Sequence, residues 1–150
     1  MQEVIKVDQL SKSYGGLTAV DNISLSVTRG MAFGLIGANG AGKSTTIECI
    51  LGTKIADRGK IAILGKNPTK DRKHLFEKIG VQFQESNFQD QIKVGELCEE
   101  TASLYQNAVN PSVLLERFGI ADKKKSLVKE LSGGQRQRLF IVLALIPGPE

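Results

Sequence analysis

The sequence is poor in residues that build disulfide frameworks and metal centres. It contains two cysteines, Cys49 and Cys98, and one histidine, His74. Two isolated cysteines do not make a disulfide framework, so a reducing, cytosolic compartment is favoured. His74 follows Arg72 and Lys73 in a polar segment and has no partner for a metal site or a catalytic pair. We therefore expect a solvated helix residue at this position.

Long apolar runs and a secretory signal are also missing. The longest apolar run, residues 139–146, is much shorter than the roughly 20 residues of a membrane-spanning helix. The first six residues lack the basic start and apolar core of a signal peptide. The net charge is +4, but the basic residues are scattered except at residues 123–125. A surface loop explains that cluster, so we expect a soluble chain with no nucleic-acid partner.

Strand patterns dominate the first half of the sequence. Apolar and polar residues alternate near residues 4–7 and 23–28, which predicts two half-buried strands. The continuous apolar run at residues 31–36 is bounded by glycines and predicts a strand buried on both faces. Residues 60–64 and 79–83 predict two further strands.

Helical periodicity appears after the run at residues 31–36 and again in the second half. Ile47, Ile50 and Leu51 form the expected apolar face of the first helix, and Gly52 ends it. Ser132 can cap the last helix. The first predicted helix begins at Ser44. The other predicted helices cover residues 69–78, 94–105, 112–118 and 134–146.

A glycine-rich loop connects the predicted buried strand to the first helix. It has the pattern Gly, four residues, Gly-Lys-Ser/Thr, in the strand-loop-helix context of a phosphate-binding loop. Glycines let backbone N–H groups approach a β-phosphate, Lys43 can neutralise β- and γ-oxygens, and the Ser44 hydroxyl can ligate Mg²⁺. The predicted nucleotide-binding residues are Gly37, Ala38, Asn39, Gly40, Ala41, Gly42, Lys43, Ser44 and Thr45.

A second motif narrows the class, because kinases, GTPases and ATPases share the first. Residues 131–135 read Leu-Ser-Gly-Gly-Gln and precede Arg-Gln-Arg. Ser132 and the two glycines open a helix whose bare N–H groups make an anion site without a lysine. With both motifs, the chain resembles the ATP-binding-cassette (ABC) ATPases over essentially its whole length. It looks like the N-terminal part of a transporter's ATP-binding subunit.

The resemblance implies an α/β fold with a P-loop NTPase (RecA-like) core, an N-terminal antiparallel β subdomain and a helical insert. We expect the β subdomain and core at about residues 1–86, the insert at about 87–130 and the signature helix at about 131–146. The implied cofactors are ATP and Mg²⁺.

Further site residues follow from the resemblance. Tyr14 occupies the place of the aromatic that stacks on adenine, and Val20 that of a nearby apolar residue. Gln84 matches the glutamine that reaches the metal and the attacking water, and it is preferred to Gln82, which falls inside a predicted strand. Lys43 and Gln84 are thus the predicted catalytic residues, and the predicted metal ligands are Ser44 and Gln84. The predicted signature contacts to ATP come from Ser132, Gly133, Gly134 and Gln135.

The resemblance also implies partners and a location. In the family, two such domains pair head to tail, and the signature of each closes over the γ-phosphate held by the other. Transmembrane permease subunits would then hold the protein on the inner face of the cell membrane, and the overall pattern is similar to export cassettes. The alternative is a soluble ABC ATPase of the translation-factor type. A small-molecule kinase would leave the signature unexplained, and a chromosome-type protein would carry a long coiled coil.

The sequence departs from the family pattern at its end. The family continues with an apolar strand ending in Asp-Glu, which supplies a metal-binding aspartate and a water-polarising glutamate, and neither residue occurs here. We therefore expect a truncated chain with an incomplete core sheet, in which the loop can position phosphates but no residue activates water for hydrolysis. We also expect it to be less stable and more prone to associate than a full domain.

Overall fold

The computed structural model describes residues 2–82, 88 and 91–150, which divide into two units, Met1–Leu75 and Phe76–Glu150. The strands are β1 (Glu3–Tyr14), β2 (Leu17–Thr28) and β3 (Arg58–Ile63). The helices are α1 (Lys43–Ile50), α2 (Arg72–Phe76), α3 (Val94–Ser103), α4 (Pro111–Arg117) and α5 (Gly133–Leu145), with short 3-10 turns at Ala121–Lys123 and Val128–Glu130.

The first unit is built on an antiparallel sheet with the strand order β2-β1-β3. In β1, Val7 pairs with Leu25 of β2 and with Ile61 of β3. The strand predicted near residues 4–7 is therefore confirmed, but it extends to Tyr14. Bulges interrupt the pairing, and Gln9 has a φ of 51°. This irregularity hides the second half of the strand from an alternation pattern. The core cluster on this sheet comprises Val7, Leu10, Val20 and Cys49.

The prediction of a strand at residues 31–36 is wrong. The segment has no strand assignment, and Met31, Phe33 and Ile36 are 52%, 49% and 94% exposed. A strand exists only through its ladder partners, and no described strand pairs with this segment. The prediction of a strand at residues 79–83 is wrong over its described part for the same reason. There, Gly80 instead lies so close to α5 that a Cβ would come 1.9 Å from the carbonyl oxygen of Ala144.

The apolar face of α1 also differs from the prediction. The structure buries Thr46 and Cys49, whereas Ile47 is 48% exposed. The predicted end of the helix is confirmed, because Gly52 follows it with a φ of 68°. A Cβ on Gly52 would lie 2.7 Å from the carbonyl oxygen of Pro68, so the backbones approach too closely there for a side chain.

The second unit is helical, and the ends of α3, α4 and α5 lie within two residues of the predicted ones, because local chemistry sets them. The Asn110 side chain accepts a hydrogen bond from the backbone N–H of Ser112, Pro111 begins α4, and Gly119 follows that helix with a φ of 65°. The helices α3, α4 and α5 share one buried apolar cluster. Its buried members are Ile92, Val94, Leu97, Cys98, Leu114, Leu115, Ile120, Val128, Leu131, Leu139, Val142 and Ile146.

Candidate nucleotide-binding site

The loop at residues 37–45 takes the backbone form that close contact with an anion requires. Gly40 and Gly42 have φ angles of 82° and 81°, in the left-handed region that other residues avoid. The backbone N–H of Ala41 donates to the carbonyl oxygen of Ala38 at 3.2 Å, which closes a turn. The sequence pattern predicts a positive φ at Gly37 as well, but Gly37 does not have one. Its role is steric, since a Cβ there would lie 3.3 Å from the Cβ of Ala41.

The end of the loop packs directly on β2. A Cβ at Gly42 would lie 2.1 Å from the carbonyl oxygen of Ala19 and 3.3 Å from Cγ2 of Val20. Val20 is 2% exposed, so its side chain supports the loop from the core side. Thr46 Oγ1 donates to the carbonyl oxygen of Gly42 at 2.8 Å. Sequence reasoning missed Thr46, although its hydroxyl ties the first turn of α1 back to the loop.

The side chain of Lys43 lies across the loop. Its Nζ donates to the carbonyl oxygen of Gly37 at 2.7 Å and to that of Ala38 at 2.6 Å. An ammonium has three N–H donors, so one remains for another acceptor. The positive charge is thus held at the beginning of the loop, although Lys43 itself is the first residue of α1. The first turn of that helix starts at Gly42 without any side-chain cap, which leaves its N–H groups for a ligand.

These features fit a polyphosphate with its metal. The loop supplies backbone N–H groups, a helix start and a lysine charge, all of which favour phosphate oxygens. The Ser44 side chain, on an exposed residue, is the candidate metal ligand here. Among the described residues, no group of three His, Cys, Asp or Glu side chains is placed to hold a metal ion. A Mg²⁺ ion bound here with a nucleotide would take most of its ligands from the phosphates and from water.

Tyr14 lies at the end of a hairpin that contacts the same loop. It pairs with Leu17 across the turn from β1 to β2 and is 42% exposed. The strand β2 continues through Ala19 and Val20 to the contact with Gly42. The structure therefore carries the predicted base-stacking residue and the predicted phosphate-binding residues on adjoining parts of one unit.

The signature motif forms a self-capped helix start in the second unit. The Ser132 Oγ accepts a hydrogen bond from the backbone N–H of Gln135 at 3.3 Å, and the Ser132 N–H donates to Oε1 of Gln135 at 3.0 Å. This reciprocal capping box confirms that Ser132 caps the helix. Ser132, Gly133 and Gly134 are exposed, whereas Leu131 is buried. The motif is thus anchored by its first residue and open at the next three.

Arg138 is a further residue that the sequence did not single out. Its Nη1 donates to the carbonyl oxygens of Phe118 and Gly119 at 3.3 and 3.4 Å, just after α4. Its Nε donates to the carbonyl oxygen of Gly134 at 3.4 Å. A cation at the carboxyl end of a helix satisfies its last carbonyl groups, so Arg138 joins the end of α4 to the start of α5.

The glutamine predicted as a catalytic residue and metal ligand, Gln84, lies outside the described residues. The other predicted site residues are described, and they fall into separate units. Tyr14, Val20 and residues 37–45 belong to Met1–Leu75, and Ser132 to Gln135 belong to Phe76–Glu150.

Comparison with known proteins decides the family. A family model described as ABC transporter matches residues 20–150. The chain belongs to the ABC transporter ATPase family. It is 38% identical to the methionine import ATP-binding protein MetN of Rhizobium johnstonii, over 99% of the chain and 43% of that protein. It is 34% identical to the bacitracin transport ATP-binding protein BcrA of Bacillus licheniformis, over 100% of the chain and 50% of that protein.

The chain spans about half the length of the curated ABC relatives that it matches. A third example is the Nod factor export ATP-binding protein I of Paraburkholderia xenovorans, which is 34% identical over 99% of the chain and 51% of its own length. Among these relatives, the names therefore include both import and export proteins.

Solved structures confirm the predicted ABC-type P-loop NTPase fold. An ATP-binding subunit of an ABC transporter has a TM-score of 0.86 at 26% identity, over 97% of this chain and 63% of that chain. The protein cbiO1 of Clostridium perfringens, part of the ABC transporter complex cbiONQ, has a TM-score of 0.82 at 26% identity, over 99% and 63%. The core sheet is incomplete in this 150-residue chain, as expected, because residues 31–36 pair with no described strand.

Proposed function

We propose that the chain binds MgATP at residues 37–45 as part of the ATP-binding subunit of a membrane transporter. The observation that carries this proposal is the loop geometry. Two glycines hold left-handed backbone next to an uncapped helix start, and the Lys43 ammonium lies within the same loop. Together these features bring backbone N–H groups, a helix start and an ammonium into one loop, and that combination favours a negatively charged phosphate.

In this proposal, the residues have distinct roles. Lys43 neutralises phosphate oxygens, Ser44 ligates the metal together with Gln84, and Tyr14 stacks on the adenine while Val20 supports it. The remaining loop residues contribute backbone N–H groups. The metal supplies charge neutralisation and geometry for phosphoryl transfer when it is bound.

The signature residues would contact a nucleotide held by a second ABC domain. Their exposed, glycine-rich helix start supports such a contact, because backbone N–H groups there can approach an anion once the cap is displaced. We propose a head-to-tail pair of ABC domains with transmembrane permease subunits, which would place the protein on the inner face of the membrane. None of the helices in the described part of the chain has the length and apolar character needed to cross a bilayer.

Transport coupled to ATP hydrolysis is the activity that we propose for the full-length protein, since this chain spans about half the length of its relatives. The names of its relatives support a transporter over the translation-factor alternative, since each of the three reported above is a transport protein. Export, which the sequence pattern favours, stays a prediction because those names include an import protein. The division into a β subdomain and core, a helical insert and a signature helix also stays a proposal.

The test is equilibrium binding of a fluorescent ATP analogue to the chain, with and without Mg²⁺. We expect saturable binding that weakens more than about tenfold in Lys43→Ala, because a charge-assisted contact to phosphate is lost. The matched control is Lys54→Ala, which removes an exposed lysine of the same unit. Equal affinity of the Lys43→Ala and Lys54→Ala variants, or no binding to the unmodified chain, would overturn the proposal.

A further inference from the structure

Asp57 binds the end of β1 through three hydrogen bonds, none of which involves the phosphate loop. Its Oδ1 accepts a hydrogen bond from Lys12 Nζ at 2.8 Å, and its Oδ2 accepts one from the backbone N–H of Ser13 at 2.7 Å. Its own backbone N–H donates to the carbonyl oxygen of Ser11 at 3.0 Å. The residue just before β3 therefore holds three consecutive residues of β1, immediately before Tyr14.

The same lysine lies over the ring of Tyr14. Lys12 Nζ is 5.2 Å from the ring centroid, within the range of a cation–π contact. The Lys12 side chain is 16% exposed, and that of Asp57 is 46% exposed. The ammonium is therefore held between a carboxylate and an aromatic face instead of moving freely in solvent.

The electrostatics of the pair agree with this arrangement. The hydrogen bond to Asp57 raises the pKa of Lys12, and burial opposes that shift less strongly. The hydrogen bonds from Lys12 and then from the Ser13 backbone lower the pKa of Asp57. Both groups are consequently charged at neutral pH, and the lysine keeps the charge that the ring attracts.

We propose that Asp57 is a positioning residue for recognition of the nucleotide base. It holds Lys12 against one face of Tyr14 and fixes the backbone at Ser13, so that the opposite face of the ring is presented to adenine. The inference rests on the proposed function, in which Tyr14 stacks on the base. A ring held in its binding orientation before the ligand arrives loses less conformational freedom on binding, which increases affinity.

The test compares two ligands that share their phosphates and differ in the base. ATP and inorganic tripolyphosphate, each with Mg²⁺, are titrated calorimetrically into the chain. We expect Asp57→Ala to weaken ATP binding about two- to fivefold, the size of an exposed cation–π contact, and to leave tripolyphosphate affinity unchanged. Asp8→Ala is the control, since Asp8 is an exposed aspartate of β1 that forms no ion pair among the described residues.

A double-mutant cycle distinguishes positioning from general stability. In a Tyr14→Ala background, Asp57→Ala should cause no further loss of ATP affinity, because the ring that it positions is gone. Asp57→Asn keeps an acceptor for the Ser13 N–H but loses the charge, and it should retain part of the effect. It also replaces the alanine variant if circular dichroism shows that Asp57→Ala does not fold.

Several outcomes would overturn the inference. Equal losses for ATP and tripolyphosphate would give Asp57 a merely structural role, and an undiminished effect without Tyr14 would remove the proposed link. If the unmodified chain binds both ligands equally, Tyr14 does not read the base, although the phosphate site stands. If it binds neither ligand, the proposed function fails together with the inference.

Discussion

The two helices that follow glycine-containing motifs differ in how their first turns are satisfied. The N-cap residue of α1 is Gly42, which has a left-handed backbone and gives no side-chain cap. The N-cap residue of α5 is Ser132, which exchanges two hydrogen bonds with Gln135. A helix start with unfilled donors is ready for an anion, whereas a capped start is stable without one. The comparison therefore separates a site that is open in the free chain from one that must first give up its own cap.

The two units also differ in what supports these helix starts. In the second unit, a single cluster joins three helices and includes Leu131, the first residue of the motif, and Leu139, which follows the motif. In the first unit, the loop packs on β2 on one side, while the apolar segment that precedes it is largely exposed. The signature is thus carried by a packed core, whereas the phosphate loop rests on β2 and follows an exposed apolar segment.

The largest expected effect concerns the core of the second unit. Leu139 is fully buried, so Leu139→Ala should lower the free energy of unfolding by about 2–5 kcal/mol through lost burial and a cavity. Ile36→Ala is the matched control, because Ile36 is 94% exposed and should change stability by less than about 0.5 kcal/mol. Urea unfolding followed by circular dichroism measures both. Similar midpoints for the two variants would contradict the contrast between the units.

The next effect concerns close packing at the open helix start. Gly42→Ala places a Cβ 2.1 Å from the carbonyl oxygen of Ala19 at a φ of 81°. The resulting strain, about 1–3 kcal/mol, should distort the loop and lower the affinity for a fluorescent ATP analogue at least about tenfold. Gly133→Ala is the paired variant, because a Cβ there would meet nothing within 4 Å apart from its chain neighbours and the backbone of its own helix. We expect its affinity to match that of the unmodified chain, and comparable losses in both variants would break the comparison.

The smallest effect concerns the capped helix start. Ser132→Ala removes the acceptor for the Gln135 N–H and should lower the free energy of unfolding by about 1 kcal/mol. Ser132→Thr keeps a hydroxyl and should recover most of that loss. Thermal unfolding measures stability, and nucleotide titration of the dilute chain should show no change in affinity for either variant. A lower affinity in Ser132→Ala would mean that the capped start already contributes to binding within one chain.

The sequence predicted the elements that local chemistry sets. The start of α4 depends on Asn110 and Pro111, and the start of α5 depends on a serine and a glutamine three residues later. These interactions lie within one helical turn, so neighbouring residues are enough to specify them. The glycine pattern of the phosphate loop is equally local, since Gly40 and Gly42 adopt the backbone angles that only glycine takes readily.

Features that depend on distant parts of the chain could not be predicted from local sequence patterns. The segment at residues 31–36 reads as a buried strand, but a strand needs ladder partners that its own residues cannot supply. The face of α1 that becomes buried contains Thr46 and Cys49 because those residues face the sheet, although Ile47 and Ile50 are more apolar. Lys12 and Asp57 lie 45 positions apart, so no local pattern links them.

The sequence by itself determined the family, the phosphate loop and the capped signature helix, because each depends on residue types at short, fixed spacing. Only the tertiary structure decided which apolar segments became strands and which polar residues support Tyr14. Those outcomes depend on hydrogen bonds between distant parts of the chain, such as those from Asp57 to the end of β1. Such contacts form only when folding brings their partners together, since spacing along the chain does not encode them.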